Sequence, residues 1–247
     1  MIGGGQPATV DRGGHPFRHF PVAVSAGAMA LAWSRQDGAP HGSTILVDHE
    51  INSLGRLGGE WQAAPAETLA GAIVLRPSLE ADAADLGWLI GGLALSQGIE
   101  ALRPDVAPAT WWPDTVVAKA DESPIAAVLC EAQLAPGRVR AAIVTFRVDL
   151  KAIGVTGADG RDELLSAILD SFDKVSASLD EGNQAVASAY ETSCALVGHR
   201  VKLRLRPTGE ARGTVSGFDT TARMQLRSTT GLVERITVDM LRDIEVV

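Results

Sequence analysis

Cysteine is scarce in this sequence, and the two cysteines present exclude most cysteine-based sites. Cys130 and Cys194 lie in apolar stretches and form neither a Cys-x-x-Cys pair nor a zinc-like spacing with histidine. Buried, unpaired thiols are typical of a reducing compartment, so we expect a cytoplasmic protein.

Long apolar runs are also lacking. The most apolar segment, residues 86–102, is interrupted by glycines and by Ser96, Gln97 and Glu100, which predicts a buried helix rather than a membrane span. Residues 1–18 carry Gly, Pro, Arg and His where a signal peptide needs a continuous apolar core. We therefore predict a flexible N-terminal tail over residues 1–20 and no association with a membrane.

Familiar catalytic motifs are missing as well. The sequence contains no Gly-x-Ser-x-Gly, His-Glu-x-x-His, P-loop or EF-hand pattern. Its five histidines are scattered, and only His49, between Asp48 and Glu50, stands in a polar cluster. Neighbouring strand residues point to opposite faces, so either His49 or the pair Asp48 and Glu50 faces a cleft. We predict no metal site and keep His49 and Glu50 as candidate pocket residues.

Charge divides the chain into two parts. The net charge is −8, yet residues 196–247 hold nine Arg or Lys against six Asp or Glu. This contrast predicts a boundary near residue 195, with a main domain over residues 21–195 and a small domain over residues 196–247. In the small domain, every second residue from Arg200 to Arg206 is a cation, which places four cations on one strand face. No aromatic residue lies among them and the main domain is acidic, so a solvated face is favoured over a nucleic-acid surface.

The order of the predicted elements is typical of an α+β fold, in which a mixed or antiparallel sheet packs against helices. The spacing of apolar residues predicts helices over residues 23–34, 81–102, 161–179 and 183–196. Apolar runs predict strands over residues 44–48, 70–75, 110–118, 126–131 and 140–148, the last two joined by a hairpin turn at 135–138. Short alternating runs over 201–205, 213–218, 224–227 and 233–238 predict a small C-terminal SH3-like β-barrel.

Five segments, in the same order and at similar spacing, resemble motifs of the biotin protein ligase family and its lipoate ligase relatives. Residues 55–61 (Gly-Arg-Leu-Gly-Gly-Glu-Trp) resemble the end of the ligases' loop rich in glycine and arginine. Residues 110–115 (Thr-Trp-Trp-Pro-Asp-Thr) resemble their Lys-Trp-Pro-Asn-Asp strand end. Residues 124–131 resemble Lys-Leu-Ala-Gly-Ile-Leu-x-Glu, and residues 145–150 stand where the ligases have Gly-x-Gly-Ile-Asn. Residues 199–203 resemble the start of the ligases' terminal barrel, and residues 217–219 resemble its Gly-Ile-Asp turn.

The resemblance covers residues 44–247 and implies the class II synthetase-like fold of these ligases. It also implies their two-step reaction, in which a biotin, lipoyl or fatty-acyl carboxylate attacks ATP with Mg²⁺ and the acyl group passes to a lysine of a biotinyl or lipoyl carrier domain. Arg56 would hold the negative charge of the transition state, and Gly55 and Gly58 would let the loop close over the anion. Trp61 would wall the cofactor pocket or pack in the core.

This sequence differs from the ligase motifs mainly in lacking their lysine residues. Trp111 stands at the lysine that contacts the acyl carboxylate and the α-phosphate, and Pro124 stands at the second conserved lysine. Neither can stabilise a developing anion as an ammonium group does. Asp114 replaces an asparagine and is the second predicted catalytic residue, while Lys119 is a candidate compensating cation. The matching Trp112 and Pro113 complete the predicted cofactor pocket, together with Trp111.

Two hypotheses follow from these residues. In the first, which we prefer, the protein is a divergent ligase or acyltransferase with a degenerate active site. In the second, it is a non-catalytic member of the same fold that binds a ligand or a protein. The sequence leaves open whether the protein is an enzyme.

Overall fold

The computed structural model describes residues 7–247 and shows two sheets and four α-helices within them. The larger sheet contains β1 (Val10–Arg12), β2 (His15–Ala23), β3 (Ser43–Glu50), β4 (Thr68–Leu75), β5 (Pro108–Trp111), β6 (Thr115–Ala118), β7 (Pro124–Ala135) and β8 (Arg138–Asp149). The helices are α1 (Ala26–Gln36), α2 (Leu86–Leu102), α3 (Gly157–Ala177) and α4 (Asn183–Ser193). The smaller sheet contains β9 (Arg200–Leu205), β10 (Glu210–Phe218), β11 (Met224–Arg227), β12 (Val233–Ile236) and β13 (Leu241–Val246).

The larger sheet is mixed, in the order β1-β2-β3-β4-β8-β7-β6-β5. Strands β2 and β3 are parallel because α1 connects them as a crossover, and the other neighbours are antiparallel. Strands β7 and β8 form the longest hairpin, with Ala135 paired to Arg138 across the predicted turn. The predicted α+β class, with a mixed sheet and packed helices, is confirmed.

The first two strands lie where the sequence predicts a flexible tail. Strands β1 and β2 form a hairpin, and β2 pairs in parallel with β3. The tail prediction is therefore wrong for residues 10–20. Two glycines and Pro16 hide the strand pattern there, and the segment is ordered by its pairing with β3 and by burial of Phe17 in the core. The start of the predicted tail, residues 1–6, lies outside the described residues.

The two faces of the larger sheet are covered by different helices. On β8, Ala142, Val144 and Phe146 pack into the core around α2, whereas Ala141 and Ile143 pack into the core around α1. Helix α2 approaches the sheet closely at Gly91, where a Cβ would lie 2.7 Å from the side chains of Val128 and Val144. Helix α1 covers the opposite face, and its amino end lies over β8 near the end of β3, where the candidate site is found.

The C-terminal residues form an antiparallel sheet in the order β12-β11-β10-β9-β13. No pairing between β12 and β13 closes this sheet within residues 7–247, so the SH3-like barrel stays a prediction. The sheet packs on the main domain through Phe218, whose ring lies 6.2 Å from that of Trp112 and 5.0 Å from that of Tyr190. The cations of β9 are partly paired, since Lys202 contacts Glu210 and Arg204 contacts Asp243.

None of the helices within residues 7–247 is long and apolar enough to span a membrane.

Candidate functional site

The loop that follows β3, residues 53–61, is here called the glycine loop, and it is closed by its own hydrogen bonds. The backbone N–H of Gly55 donates to the carbonyl of Gly59 at 2.7 Å, and Leu54 pairs with Glu60 as an isolated bridge. At the tip, Leu57 and Gly58 have φ values of 58° and 78°. This left-handed backbone favours glycine, which accounts for Gly58, whereas Leu57 adopts it as a residue with a side chain. The loop is therefore a small ordered hairpin that projects over the sheet.

The two residues predicted to be catalytic meet beside this loop. The Nε of Arg56 donates to Oδ2 of Asp114 at 2.9 Å, and Nη1 donates to the carbonyl of Leu241 at 2.8 Å. The Arg56 side chain is 12% exposed and that of Asp114 is 25% exposed. The contact joins the loop to the turn between β5 and β6 and to the smaller sheet.

A second ion pair lies deeper in the same region. The Nε of Arg147 on β8 donates to Oε2 of Glu50 at 2.5 Å, and both side chains are 4% exposed. The other carboxylate oxygen of Glu50 accepts the backbone N–H of Ala26, at the first residue of α1, at 2.7 Å. Nη1 of Arg147 reaches the carbonyl of Leu54 at 3.4 Å. The buried charges are thus paired with each other, with a helix amino end and with the loop.

Two small cavities border this second pair, one at Arg147 and the other at Glu50. The larger, of about 160 Å³, is lined by Arg56, Arg147, Asp114, Glu60, Trp61 and neighbouring small residues that include Gly55. The smaller, of about 30 Å³, is lined by Glu50, Asp48, Trp61 and residues that include Ala63, Pro65 and Ala70. Trp61 and Ser53 border both cavities. Trp61 is fixed there because its indole N–H donates to the hydroxyl of Thr68 at 2.9 Å.

Several of the predicted pocket residues lie elsewhere. Trp112 and Pro113 are buried, and Trp112 packs on Phe218 in the core, so neither lines the two cavities. Trp111 is partly buried against the same core. These residues are pocket candidates because of their place in the ligase motif, but Trp112 instead helps to attach the smaller sheet to the main domain through its contact with Phe218.

The remaining candidates separate by strand geometry. His49 is exposed, whereas its neighbours Asp48 and Glu50 line the smaller cavity, as alternation along a strand requires. Lys119 is exposed and follows the far end of β6, while Asp114 precedes its near end. Lys119 therefore does not approach the Arg56 side chain. Gly58 shapes the tip of the loop without lining either cavity.

Arg147 is the site residue that the sequence interpretation missed. It stands within residues 145–150, at the place of the second glycine of the ligases' Gly-x-Gly-Ile-Asn motif. An arginine inside an otherwise apolar strand is itself a signal, because a buried guanidinium requires an acidic partner. Its partner, Glu50, is 97 residues away in the sequence, so the pairing is visible only in the fold.

Arg56 and Arg147 each leave the same nitrogen, Nη2, available to donate to a ligand. Each uses Nε for a carboxylate and Nη1 for a backbone carbonyl, and Nη2 forms no hydrogen bond within residues 7–247. A guanidinium that is oriented in this way can donate to a carboxylate or a phosphate oxygen. The acidic residues Asp114, Glu50 and Glu60 offset the positive charge. The cavity therefore offers directed hydrogen bonds without an excess of positive charge.

The buried thiols of the chain take no part in this site. Burial raises the pKa of Cys130, and the nearby charges of Asp85 and Glu131 raise it further. Burial also raises the pKa of Cys194. Both thiols are thus held in their protonated, unreactive form. No cluster of His, Cys, Asp and Glu side chains within residues 7–247 is arranged to hold a metal ion.

Comparison with known proteins shows similarity in structure alone. A scan against protein-family models finds no match. A search of curated protein sequences finds no relative either. Among solved structures, the chain is similar to the biotin protein ligase from Aquifex aeolicus in complex with biotin and ATP, with a TM-score of 0.73 and 18% identity over 94% of this chain and 99% of the ligase.

Two further structures extend the comparison. A biotin protein ligase-like protein of unknown function from Silicibacter sp. TM1040 has a TM-score of 0.69 and 17% identity, over 93% of this chain and 96% of that protein. The Leishmania major biotin protein ligase in complex with biotin has a TM-score of 0.60 and 17% identity, over 91% and 98% of the two chains. The predicted resemblance to biotin protein ligases is thus confirmed at the level of the fold.

Proposed function

We propose that the protein is a divergent biotin/lipoate ligase-like protein that activates a carboxylic acid with ATP and Mg²⁺ and transfers the acyl group to a lysine of a carrier domain. The observation that carries this proposal is the Arg56–Asp114 pair, which lies across the larger cavity between the glycine loop and the β5–β6 turn. These are the two places where the ligase motifs concentrate their charged residues.

We assign to Arg56 the role of binding the negatively charged group of the substrate. Asp114 and the carbonyl of Leu241 orient the guanidinium through its Nε and Nη1, and Nη2 forms no hydrogen bond within residues 7–247. Preorganised donors of this kind stabilise charge that develops on an oxyanion. The proposal is further supported by the similarity in fold to a ligase that was crystallised with biotin and ATP.

The proposed reaction would be slower than that of a ligase that carries both lysines of the motifs. Trp111 and Pro124 stand at the two lysines of the ligase motifs, and Lys119 is too far along β6 to replace them. Loss of one well-placed donor typically costs about 2.7–4 kcal/mol of transition-state stabilisation. We therefore propose that the active site is degenerate. We also propose that the protein is cytoplasmic and that its smaller sheet is an SH3-like module that holds the loop in place.

A second candidate function is non-catalytic binding of a ligand or a protein on the same fold. The observation that favours it is the pairing of both cavity arginines with internal carboxylates, Asp114 and Glu50. Paired guanidinium groups keep their hydrogen-bond donors but attract an anionic phosphate less strongly. Such a site is suited to holding an acid rather than to activating it.

The test combines measurements of ligand binding with an assay of ATP–pyrophosphate exchange. Calorimetry and thermal-shift measurements with ATP, biotin, lipoate, octanoate, shorter acids and acyl-AMP analogues identify ligands, and acid-dependent ATP–pyrophosphate exchange reports activation. We expect exchange with at least one acid, lost in Arg56→Ala and kept in the control Arg204→Ala, whose side chain is 58% exposed in the smaller sheet. Binding without exchange would support the second candidate. No binding of any acid, nucleotide or adenylate would refute the proposed activity and would leave only protein binding from the second candidate.

A further inference from the structure

A row of three residues crosses the larger sheet beside the larger cavity. Thr115 on β6, Ala127 on β7 and Arg147 on β8 are direct partners in the register of three neighbouring strands. Residues that stand opposite each other on neighbouring strands share a face of the sheet, so these three side chains point to the same side. All three line the larger cavity. The row therefore forms part of the floor of that cavity.

An arginine lies at each end of this row. Arg147 is itself one end, and at the other end Asp114, which precedes Thr115, accepts the hydrogen bond from Nε of Arg56. Neighbouring strands are about 4.8 Å apart, so the two ends of the row are roughly 10 Å apart, a span that two arginine side chains can bridge from opposite sides. Ala127, in the middle, is partly exposed and has a single methyl group as its side chain. The cavity above Ala127 thus borders both arginines.

The guanidinium group of Arg147 has one nitrogen left for a ligand. Its Nε donates to Glu50 and its Nη1 to the carbonyl of Leu54, and the side chain is 4% exposed. Nη2 has no hydrogen-bond partner within residues 7–247, yet it is not sealed from solvent as an unpaired buried nitrogen would be. A donor that is already oriented loses little entropy when it binds a ligand. Because Arg147 lines the larger cavity, Nη2 is the donor that it offers there.

The charges around the cavity favour one kind of anion. Two positive residues, Arg56 and Arg147, stand with three acidic ones, Asp114, Glu50 and Glu60. This balance repels a group with several negative charges, such as a triphosphate. A carboxylate carries one negative charge, and its two oxygens accept directed hydrogen bonds. The two Nη2 donors therefore suit the carboxylate of the acid better than the phosphates of ATP.

We propose that Arg147 binds the carboxylate of the acid together with Arg56, each guanidinium donating from Nη2 to a carboxylate oxygen. This inference rests on the proposed function, since it concerns the acid that is bound at this site. It places on β8 the second cation that Trp111 and Pro124 do not supply at the lysine positions of the motifs. Arg147 is thus a binding residue for the acid as well as the partner of Glu50.

The experiment measures affinity by calorimetry and ligand-observed NMR for matched pairs of an acid and its primary amide. The pairs are octanoate with octanamide, lipoate with lipoamide, and biotin with biotinamide, and ATP is measured separately. Each amide keeps the tail of the acid but carries no negative charge. A contact with the carboxylate therefore affects the acid and not the amide.

The first variant, Glu50→Gln/Arg147→Met, removes the guanidinium without leaving a lone buried charge. Ala127→Asp places a carboxylate between the two arginines, where the carboxylate of the acid is proposed to lie. Ala127→Asn is its matched control, because it has the same shape and no charge. Arg204→Ala removes an exposed arginine of the smaller sheet and is the second control. Circular dichroism checks that each variant is folded.

A lost hydrogen bond to a charged group corresponds to a decrease in affinity of about 10- to 100-fold. We expect this decrease for the acid in Glu50→Gln/Arg147→Met, with the affinities for its amide and for ATP nearly unchanged. Ala127→Asp should weaken acid binding far more than Ala127→Asn, and Arg204→Ala should have no effect. If Glu50→Gln/Arg147→Met does not fold, the comparison of Ala127→Asp with Ala127→Asn decides the question.

The results that would overturn the inference differ from those that would overturn the proposed function. Unchanged acid affinity in Glu50→Gln/Arg147→Met, or equal losses for acid and amide, would show that Arg147 does not contact the carboxylate. A loss of ATP affinity alone would place a phosphate at Arg147. In each case the proposed function would stand, whereas no binding of any acid by the unmodified chain would remove both.

Discussion

Arg56 and Leu241 are 185 residues apart in the sequence, yet Nη1 of Arg56 donates to the carbonyl of Leu241 at 2.8 Å. The same guanidinium holds Asp114 at 2.9 Å. A single side chain therefore connects the glycine loop, the β5–β6 turn and the smaller sheet. The C-terminal residues are in this way part of the candidate site, because they hold the arginine to which we assign the anion.

The first prediction concerns the stability that Arg56 provides. Arg56→Ala removes two hydrogen bonds and leaves the partly buried Asp114 without its cation, so we expect a loss of about 1.5–3 kcal/mol in the free energy of unfolding. Urea denaturation measures this loss. The control Arg204→Ala removes an exposed pair with Asp243 and should cost no more than about 1 kcal/mol. Equal losses for the two variants would contradict the prediction.

The second prediction concerns the buried ion pair. Arg147→Met alone leaves Glu50 as an unpaired buried charge, and we expect a loss of about 3–5 kcal/mol in the free energy of unfolding. In Glu50→Gln/Arg147→Met both charges are absent, so most of this loss should be recovered. A double-mutant cycle by chemical denaturation measures the coupling. Additive single losses would show that the two side chains do not act as a pair.

The third prediction concerns the position of α1. A methyl group at Gly27 would overlap the hydroxyl oxygen of Thr145 on β8. We expect Gly27→Ala to cost about 1–3 kcal/mol through overpacking. Thr145→Ala should relieve the overlap, at little cost of its own because the Thr145 hydroxyl has no hydrogen-bond partner within the described residues. Thermal unfolding of the two single variants and the double variant checks this, and the prediction fails if the double variant is no more stable than Gly27→Ala.

The fourth prediction is a pH dependence at the junction between α2 and the smaller sheet. Burial raises the pKa of Asp85, and the charge of Asp239 raises it further. The folded state therefore favours the protonated carboxyl, and this contribution to stability is lost as pH rises through the raised pKa. Asp85→Asn removes the charge and keeps the size and shape of the side chain.

We accordingly expect Asp85→Asn to melt at a higher temperature than the unmodified chain at pH 7, with a difference that shrinks toward pH 4. Melting temperatures across this range provide the measurement. Asp82→Asn, an exposed change in the same segment, is the matched control and should show no such trend. A constant difference at all pH values would argue against titration of Asp85.

The fifth prediction concerns thiol chemistry. Because burial raises the pKa of both Cys130 and Cys194, we expect neither to react appreciably with a thiol reagent at pH 8 in the folded protein. Both should react at once after denaturation in guanidinium. Fast labelling of the native chain would show that one of the thiols is accessible.

Much of the fold could be predicted from local patterns. The apolar repeat from Leu164 to Val175 predicts α3, and the hairpin turn before Arg138 predicts the β7–β8 pair, because both signals depend only on neighbouring residues. Strands β1, β2 and β13 could not be predicted in this way. Each is short, broken by glycine or proline, or largely exposed, and each is defined by the strand with which it pairs.

The candidate site also has some features that local sequence patterns predict and others that only the fold shows. The sequence by itself determined the α+β class, the order of the ligase-like motifs and the residue types at the loop and the β5–β6 turn, since these follow from composition and spacing. Only the tertiary structure decided that Trp112 belongs to the core, that His49 points away, and that Glu50 meets Arg147. The reason is that burial and ion pairing depend on distances between residues far apart in the chain, which a linear pattern does not contain.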